Sequence, residues 1–408
     1  MKKETNAIKI IWFGLALMLL IACQQDKTYE IINPGNEDVI DLAMVINRSA
    51  LSKYLSDSTG NDFVVVKDLN GELLPSQCDD TDGDGRWDEL AFLCDLEAGE
   101  VIKVIFEPAA VMPDFPVRTN IRFGRMTKPF EEVAGDLRMK TNDTKFTAPV
   151  YQMEGPAWEN GLIAFRNYYD ARNGIDIFGK RTTAMVMDST GVNGRDYHTL
   201  ADWGMDVLKV GNSLGAGAIA IGTGDSIYRV GPCEEGRYRL ITEGPVRAIF
   251  ELTYKNVPAG ERMYNVIHQI SIYAGDRFYR SKVWIPDLQD DEELVTGIVD
   301  LHAIPADTLS EGNRKIMATL GNQGFNDEVL GMGIIVSGKQ FTRYWEAPAT
   351  GGGIVNTHLV SLKPGKNVPA EYCFLAAWEV QDPQVKNRDY FLELLRAEAR
   401  RVDHVPED

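Results

Sequence analysis

Residues 262–285 read RMYNVIHQISIYAGDRFYRSKVWI, and their pattern decides the fold. Tyr264, Val266, His268, Ile270 and Ile272 recur at every second position, which is the period of a pleated strand. Ala274-Gly275-Asp276 then supplies a turn, so the stretch reads as two long strands of one hairpin. Just upstream, residues 244–254 (GPVRAIFELTY) alternate in the same way. Val246, Ala248, Phe250, Leu252 and Tyr254 share one face, with Arg247, Glu251 and Thr253 on the other. Shorter runs repeat the theme. Phe63 to Val66 precedes an Asn70-Gly71 turn, and residues 88–108 (DELAFLCDLEAGEVIKVIFEP) hold two runs around Ala98-Gly99. Only the end is helical: residues 387–402 place Tyr390, Phe391, Leu394 and Leu395 at helical spacing, with Arg400 and Arg401 near the C-terminal end of the dipole. Strands without strand–helix alternation predict an all-β chain, a large antiparallel β-sandwich with a C-terminal helix.

The N-terminus bears on location. Lys2, Lys3 and Lys9 precede an apolar run from Ile10 to Ile21, and Ala22-Cys23 comes at once after it. Residues 1–22 read as a lipoprotein signal peptide with Cys23 as the lipid attachment site. The expectation is a membrane-anchored lipoprotein facing the periplasm or the cell surface. About 385 residues remain, room for one large or two ordinary domains. Pro108, Pro113 and Pro116 mark a connector, so residues 23–115 are taken as an N-terminal β region and residues 116–408 as the main sandwich domain. A net charge of -18 argues against nucleic acid as a partner. Of the cysteines after Cys23, Cys78 and Cys94 flank a hairpin and are expected to be close enough for a disulfide.

Four motifs carry chemistry. Residues 79–89 (DDTDGDGRWDE) space Asp80, Asp82, Asp84 and Asp88 like the early positions of a calcium loop, although the EF-hand's twelfth position holds Ala91 and no helices flank it. A structural calcium is the one cofactor this implies. Gly211-Asn212-Ser213-Leu214-Gly215 matches a nucleophile elbow, and Gly215-Ala216-Gly217 a loose dinucleotide fingerprint. Both motifs need a helix next, but Ile219-Ala220-Ile221 reads as a strand, so the glycines are expected to be turns. His268 lies on an apolar strand face and reads as a core or cleft-wall imidazole. His198 differs, sitting with Arg195, Asp196 and Tyr197 in a polar, glycine-bounded loop that ends at Trp203, a setting that suits a general acid or base.

Residues 155–180 (GPAWENGLIAFRNYYDARNGIDIFGK) fit neither helical nor strand periodicity. They concentrate Trp158, Asn160, Arg166, Asn167, Tyr168, Arg172, Asn173 and Lys180. Aromatic faces stack on sugar rings, and amide and guanidinium forks meet hydroxyls and carboxylates. Arg166, Arg172, Lys180 and Arg181 in an acidic chain point to an anionic ligand.

These strings, with residues 196–217 (DYHTLADWGMDVLKVGNSLGAG), 243–254 and 79–93, resemble the Bacteroidetes lipoprotein family known as domain of unknown function 4861. The resemblance spans nearly the whole chain after Cys23. It implies a galactose-mutarotase-like sandwich and a place in polysaccharide utilisation of uronic-acid-rich glycans such as pectins and ulvan. It further implies an oligosaccharide dehydratase, removing water from a saturated uronic acid at the non-reducing end to leave a 4,5-unsaturated residue for an unsaturated glucuronyl hydrolase. That chemistry needs a clamp on the carboxylate, a base for the proton at carbon 5 and an acid for the leaving 4-hydroxyl. Arg166 with Asn167 is the first choice of clamp and Arg172 the second. His198 and either Tyr197 or Tyr168 share acid and base. Trp158, Asn160, Asn173, Lys180, Arg195 and Trp203 complete the expected contacts with an acidic oligosaccharide. Two alternatives stay open: a non-catalytic glycan-binding lipoprotein, and a polysaccharide lyase or glycoside hydrolase. A binder would depend on Trp158, a catalyst on His198.

Overall fold

The computed structural model describes residues 28–55, 63–127, 130–139, 150–192 and 196–404. Cys23 and Arg195 lie outside them. The hairpin of residues 262–285 forms as strands Arg262–Tyr273 and Phe278–Trp284, and it sits at the centre of a nine-stranded antiparallel sheet. The sheet runs Gly135–Met139, Glu235–Thr242, Arg247–Ala259, the hairpin, then Ala370–Trp378, Val329–Ser337, Arg314–Asn322 and Asp307–Glu311. All its pairings are antiparallel.

Two five-stranded sheets cover one face. In strand order the first is Gly204–Asp206, Ile175–Lys180, Ile163–Asn167, Ala157–Asn160 and Thr119–Arg122. The second runs Ser226–Arg229, Ala220–Thr223, Glu292–Val299, Thr357–Leu362 and Phe341–Glu346. Phe250, Leu252, Val266 and Ile270 of the large sheet meet Trp158, Phe165, Ile177 and Leu359 in one continuous core. His268 is buried there, with Nε2 2.6 Å from the Ser281 hydroxyl, and burial lowers its pKa to about 3. This is an all-β sandwich of antiparallel sheets.

Residues 28–109 form two further sheets around Leu42, Phe92, Val104 and Phe106. Cys78 and Cys94 are both free thiols there, contrary to the disulfide expectation. Cys78 is opposite Leu90 in the strand register, so Cys94 lies four residues farther along, roughly 13 Å away and out of bonding range.

The C-terminal helix Arg388–His404 packs Phe391, Leu395 and Ala399 onto the far face of the large sheet. Among the described residues no helix is long and apolar enough to cross a membrane. Glu398 is buried on this helix with Oε2 unpartnered, and burial raises its pKa to about 7 against the opposing pull of Arg401. A carboxyl raised from about 4.5 in the unfolded chain contributes its stability below that value and loses it as pH climbs through about 7. Glu398→Gln should therefore be more stable than the parent at pH 8, by on the order of 3 kcal/mol at most, with little difference at pH 4.5. Urea unfolding at both pH values measures this, and identical pH profiles would clear Glu398 of the effect.

Candidate functional site

Strand pairing builds the site from residues 155–180. Far from a loop, this stretch is three strands, and the register sets Ala157 beside Arg166 and Arg166 beside Asp176. Both faces of these strands are buried, which hides the alternation that an exposed face would display. Inward go Trp158, Ile163, Phe165, Ile175 and Ile177. Outward go Glu159, Arg166, Asp176 and Lys180, joined by Asp206 of the neighbouring strand opposite Phe178.

Arg166 is 1% exposed; its two terminal nitrogens are committed, and its buried Nε has no partner. It donates to Asp176, to the Met153 carbonyl at 2.5 Å and to the Tyr168 hydroxyl at 3.0 Å. The Tyr197 hydroxyl stands 3.4 Å away and Asp206 Oδ2 3.6 Å away. Burial opposes its charge, yet Tyr168 and the two carboxylates raise its pKa well above the usual guanidinium value. Asp206 is pushed well upward, first by burial and then by the charge of Asp176. Burial likewise raises Tyr197 and Tyr168 over the opposing pull of Arg166, so both phenols hold their protons at neutral pH.

His198 stands over this cluster, 44% exposed at its side chain. Its Nδ1 lies 3.1 Å from Asp196 Oδ1 and its Nε2 3.7 Å from buried Asp206. Its ring packs on Tyr197, centroids 4.5 Å apart, and on Phe325 at 5.5 Å. The Asp206 amide donates to the Tyr197 carbonyl and fixes the loop to the strand. Lys209 places its ammonium 4.9 Å over the other partner of that stack, Phe325, and makes no ion pair among the described residues. Arg172 crosses the Tyr168 ring at 4.0 Å and is paired with Asp170 and Glu154. Trp203 is half-buried against Phe178.

The structure thus gathers Arg166, Tyr168, Arg172, Tyr197, His198 and Trp203, and it removes five expected contacts. Trp158 is fully buried among Phe165, Phe250 and Tyr279 and offers no stacking face. Asn160 ties Tyr273 and Asp276 carbonyls to the Leu162 turn. Asn167 donates to Asn173, which also accepts from the Tyr254 hydroxyl in the core. Lys180 is spent on Glu159 at 2.5 Å. Arg166, for the same reason, is not a free clamp. Ser213 donates to the Val210 carbonyl and accepts from Gly215 in a tight turn, so the elbow motif is a turn without a nucleophile. Sequence reading missed Asp176, Asp206, Lys209 and Phe325. A period of two through IDIFGK would have put Asp176 on one face with Lys180, opposite Ile175 and Ile177.

At the acidic hairpin, carboxylate oxygens of Asp80, Asp82 and Asp88 lie within 4.8 Å of one another. Asp84 is not in this group; its Oδ1 accepts from the Arg86 amide. Hard oxygen donors so grouped fit calcium.

Removing the Arg166 cation would leave Asp176 and Asp206 buried without it. Arg166→Met should cost about 3–5 kcal/mol, against about 1 kcal/mol for Tyr168→Phe, which removes a single neutral hydrogen bond. Chemical denaturation measures both, and equal small losses would show that the cluster is not structurally coupled.

The model of a family described as Domain of unknown function (DUF4861) matches residues 31–407. An uncharacterized protein of Formosa agariphila is 25% identical over 315 residues, covering 71% of each chain. Among solved structures, an alpha-mannosidase from Enterococcus faecalis aligns with a TM-score of 0.43 at 10% identity, over 91% of this chain and 45% of that one. A glycosyl hydrolase family 38 protein from the same organism gives 0.43 at 11%, over 92% and 46%. The chain spans less than half the length of those two proteins. With the match running from the first strand to the C-terminal helix, the chain belongs to the DUF4861 family.

Proposed function

We propose that this protein is a carbohydrate-active enzyme that eliminates water across carbons 4 and 5 of a non-reducing-end uronic acid, at the rim formed by Tyr197, His198 and Lys209. The observation that carries this reading is a solvent-open imidazole seated on a proton-holding phenol, with a buried carboxyl behind it. With Nδ1–H donated to Asp196, the lone pair of His198 lies on Nε2, the nitrogen that takes the proton from carbon 5. The Asp206 carboxyl, whose ionisation burial and Asp176 oppose, lies 3.7 Å from the same nitrogen and faces the imidazolium that results. Tyr197 keeps its proton through burial and gives it to the 4-hydroxyl, which departs as water as the C4–C5 double bond forms. Lys209, with no carboxylate of its own, meets the substrate carboxylate in place of the committed Arg166 and makes carbon 5 more acidic.

Oligosaccharides ending in saturated glucuronic, iduronic or galacturonic acid test this by ultraviolet absorbance and mass. Loss of one water with a new unsaturated-uronate chromophore is expected. His198→Ala and Tyr197→Phe should each lower kcat about 10²–10⁴-fold, and Lys209→Met should act mainly through KM. A chromophore accompanied by cleavage of a glycosidic bond would make the protein a lyase, and silence across the panel would reject elimination.

We also propose that the hairpin binds calcium through Asp80, Asp82 and Asp88 in a structural role. Millimolar calcium should raise the melting temperature by a few degrees in the parent protein and not in Asp82→Ala. Equal responses in the two proteins would rule this site out.

A further inference from the structure

The nine-stranded sheet has a second covered face, and that face is not apolar throughout. At one end Val246, Tyr273 and Ala274 pack on Ala43, Ala91 and Leu93 of the N-terminal sheets. At the other, Phe278, Ile335 and Leu375 pack under Phe391 and Leu395 of the C-terminal helix. Between these patches the register sets two polar rows across the strands. Ser271 lies beside Arg280, and Gln269 beside Lys282, which in turn lies beside Glu371. If packing alone governed this face, the middle would be apolar like its two ends. Instead it opens into a cavity of about 390 Å³, within the size range of small-ligand sites.

The chemistry of the walls narrows the ligand. Every cation here has an acidic partner: Arg280 with Asp276 at 3.0 Å, Lys282 with Glu371 at 3.2 Å, Arg247 with Asp79 and Glu89, Arg314 with Asp403. The cavity therefore does not call for a polyanion. Neutral donors and acceptors are unspent, since the side chains of Asn47, Gln269 and Ser271 make no hydrogen bond among the described residues. Arg280 adds a buried Nε without a partner. Half-buried Trp284, two positions beyond Lys282 on the same face, offers an aromatic plane at the cavity wall. Alternating amides and hydroxyls beside an aromatic face are what a sugar ring requires.

We propose that this cavity is a second carbohydrate-binding site, taking a sugar unit by stacking on Trp284 and hydrogen bonding to Gln269, Ser271 and Asn47. It lies on the outer face of one sandwich layer, and the His198 rim lies on the outer face of the other. It would hold glycan without taking part in chemistry. The proposal rests on the carbohydrate reading, and the test separates the two.

Calorimetric titration of the folded full chain with neutral and uronic-acid-ended oligosaccharides is the measurement, run beside the turnover assay. Trp284→Ala should weaken binding at least about tenfold while leaving kcat on the shortest substrate unchanged. Ser271→Leu, which fills the cavity, should do the same and covers the case where Trp284→Ala fails to fold. His198→Ala should keep this binding and lose turnover. If both cavity variants fold and bind as the parent does, the second site is overturned even where turnover at His198 persists. If the parent neither binds nor converts any sugar of the panel, both readings fall.

Discussion

A guanidinium with almost no exposure must meet its charge inside the protein, and the outer layer of the sandwich is arranged around that requirement at Arg166. The strand register delivers Asp176 to its side, and the next strand delivers Asp206. The carbonyl of Met153 and the phenols of Tyr168 and Tyr197 accept from its terminal nitrogens, and its Nε is left without a partner. Because the Tyr197 backbone is also tied to the Asp206 amide, the loop carrying His198 is located by the same ion cluster. The imidazole is solvent-open, yet its position derives from a buried charge. Buried ion groups contribute little net stability against apolar replacements, and their best-supported use is to fix one arrangement over others. Here that arrangement holds the His198 imidazole against the Tyr197 phenol.

The centre of the large sheet was legible because strands Arg247–Ala259 and Arg262–Tyr273 each show one apolar face. Ala248 through Tyr254 and Tyr264 through Ile272 alternate as the pleat demands, with the inward set in the core; Val246, just before its strand, packs on the N-terminal sheets instead. The helix was equally plain, since Phe391 and Leu395 share the stripe that packs on Ile335 and Leu375. His268 fell where its apolar neighbours put it.

Residues 155–180 were not legible, for a specific physical reason. Their strands are covered on both sides, by core on one and by the segments of Met153 and Met187 on the other, so the outward residues are buried ions rather than solvated polar groups. Sequence alone does not distinguish a buried Lys180–Glu159 pair from two ligand contacts, because the residue types are the same. Trp158 misled similarly: an indole is as suited to a core as to a sugar platform, and only its position opposite Phe250 decides which. Arg166 was misread as a surface group, and Asn167 and Asn173, on the opposite face, belong to a separate hydrogen-bonded set in the core. His198 and Lys209 are open to solvent, and Phe325, the ring both of them meet, comes from a distant segment of the chain.

The charge distribution bears on which end of a glycan could be met. A chain of -18 repels a polyanion at long range, but at physiological salt that field fades over roughly 8 Å, and only groups in near contact decide binding. Most cations of the site are already neutralised, Arg166 by Asp176 and Asp206, Arg172 by Asp170 and Glu154. Among the described residues Lys209 makes no ion pair and lies over Phe325, the ring that also packs on His198, and exposed Arg181 next to Lys180 makes none either. So few unpaired cations suit one carboxylate at a chain terminus; a groove for an extended polyanion would need a row of them. On the opposite outer face the balanced ion pairs around Trp284 make the same point from the other side, since they favour a hydroxyl-rich ring over a charged one. Recognition divided as proposed would let an acidic protein act on the end of an acidic glycan while holding its less charged part elsewhere.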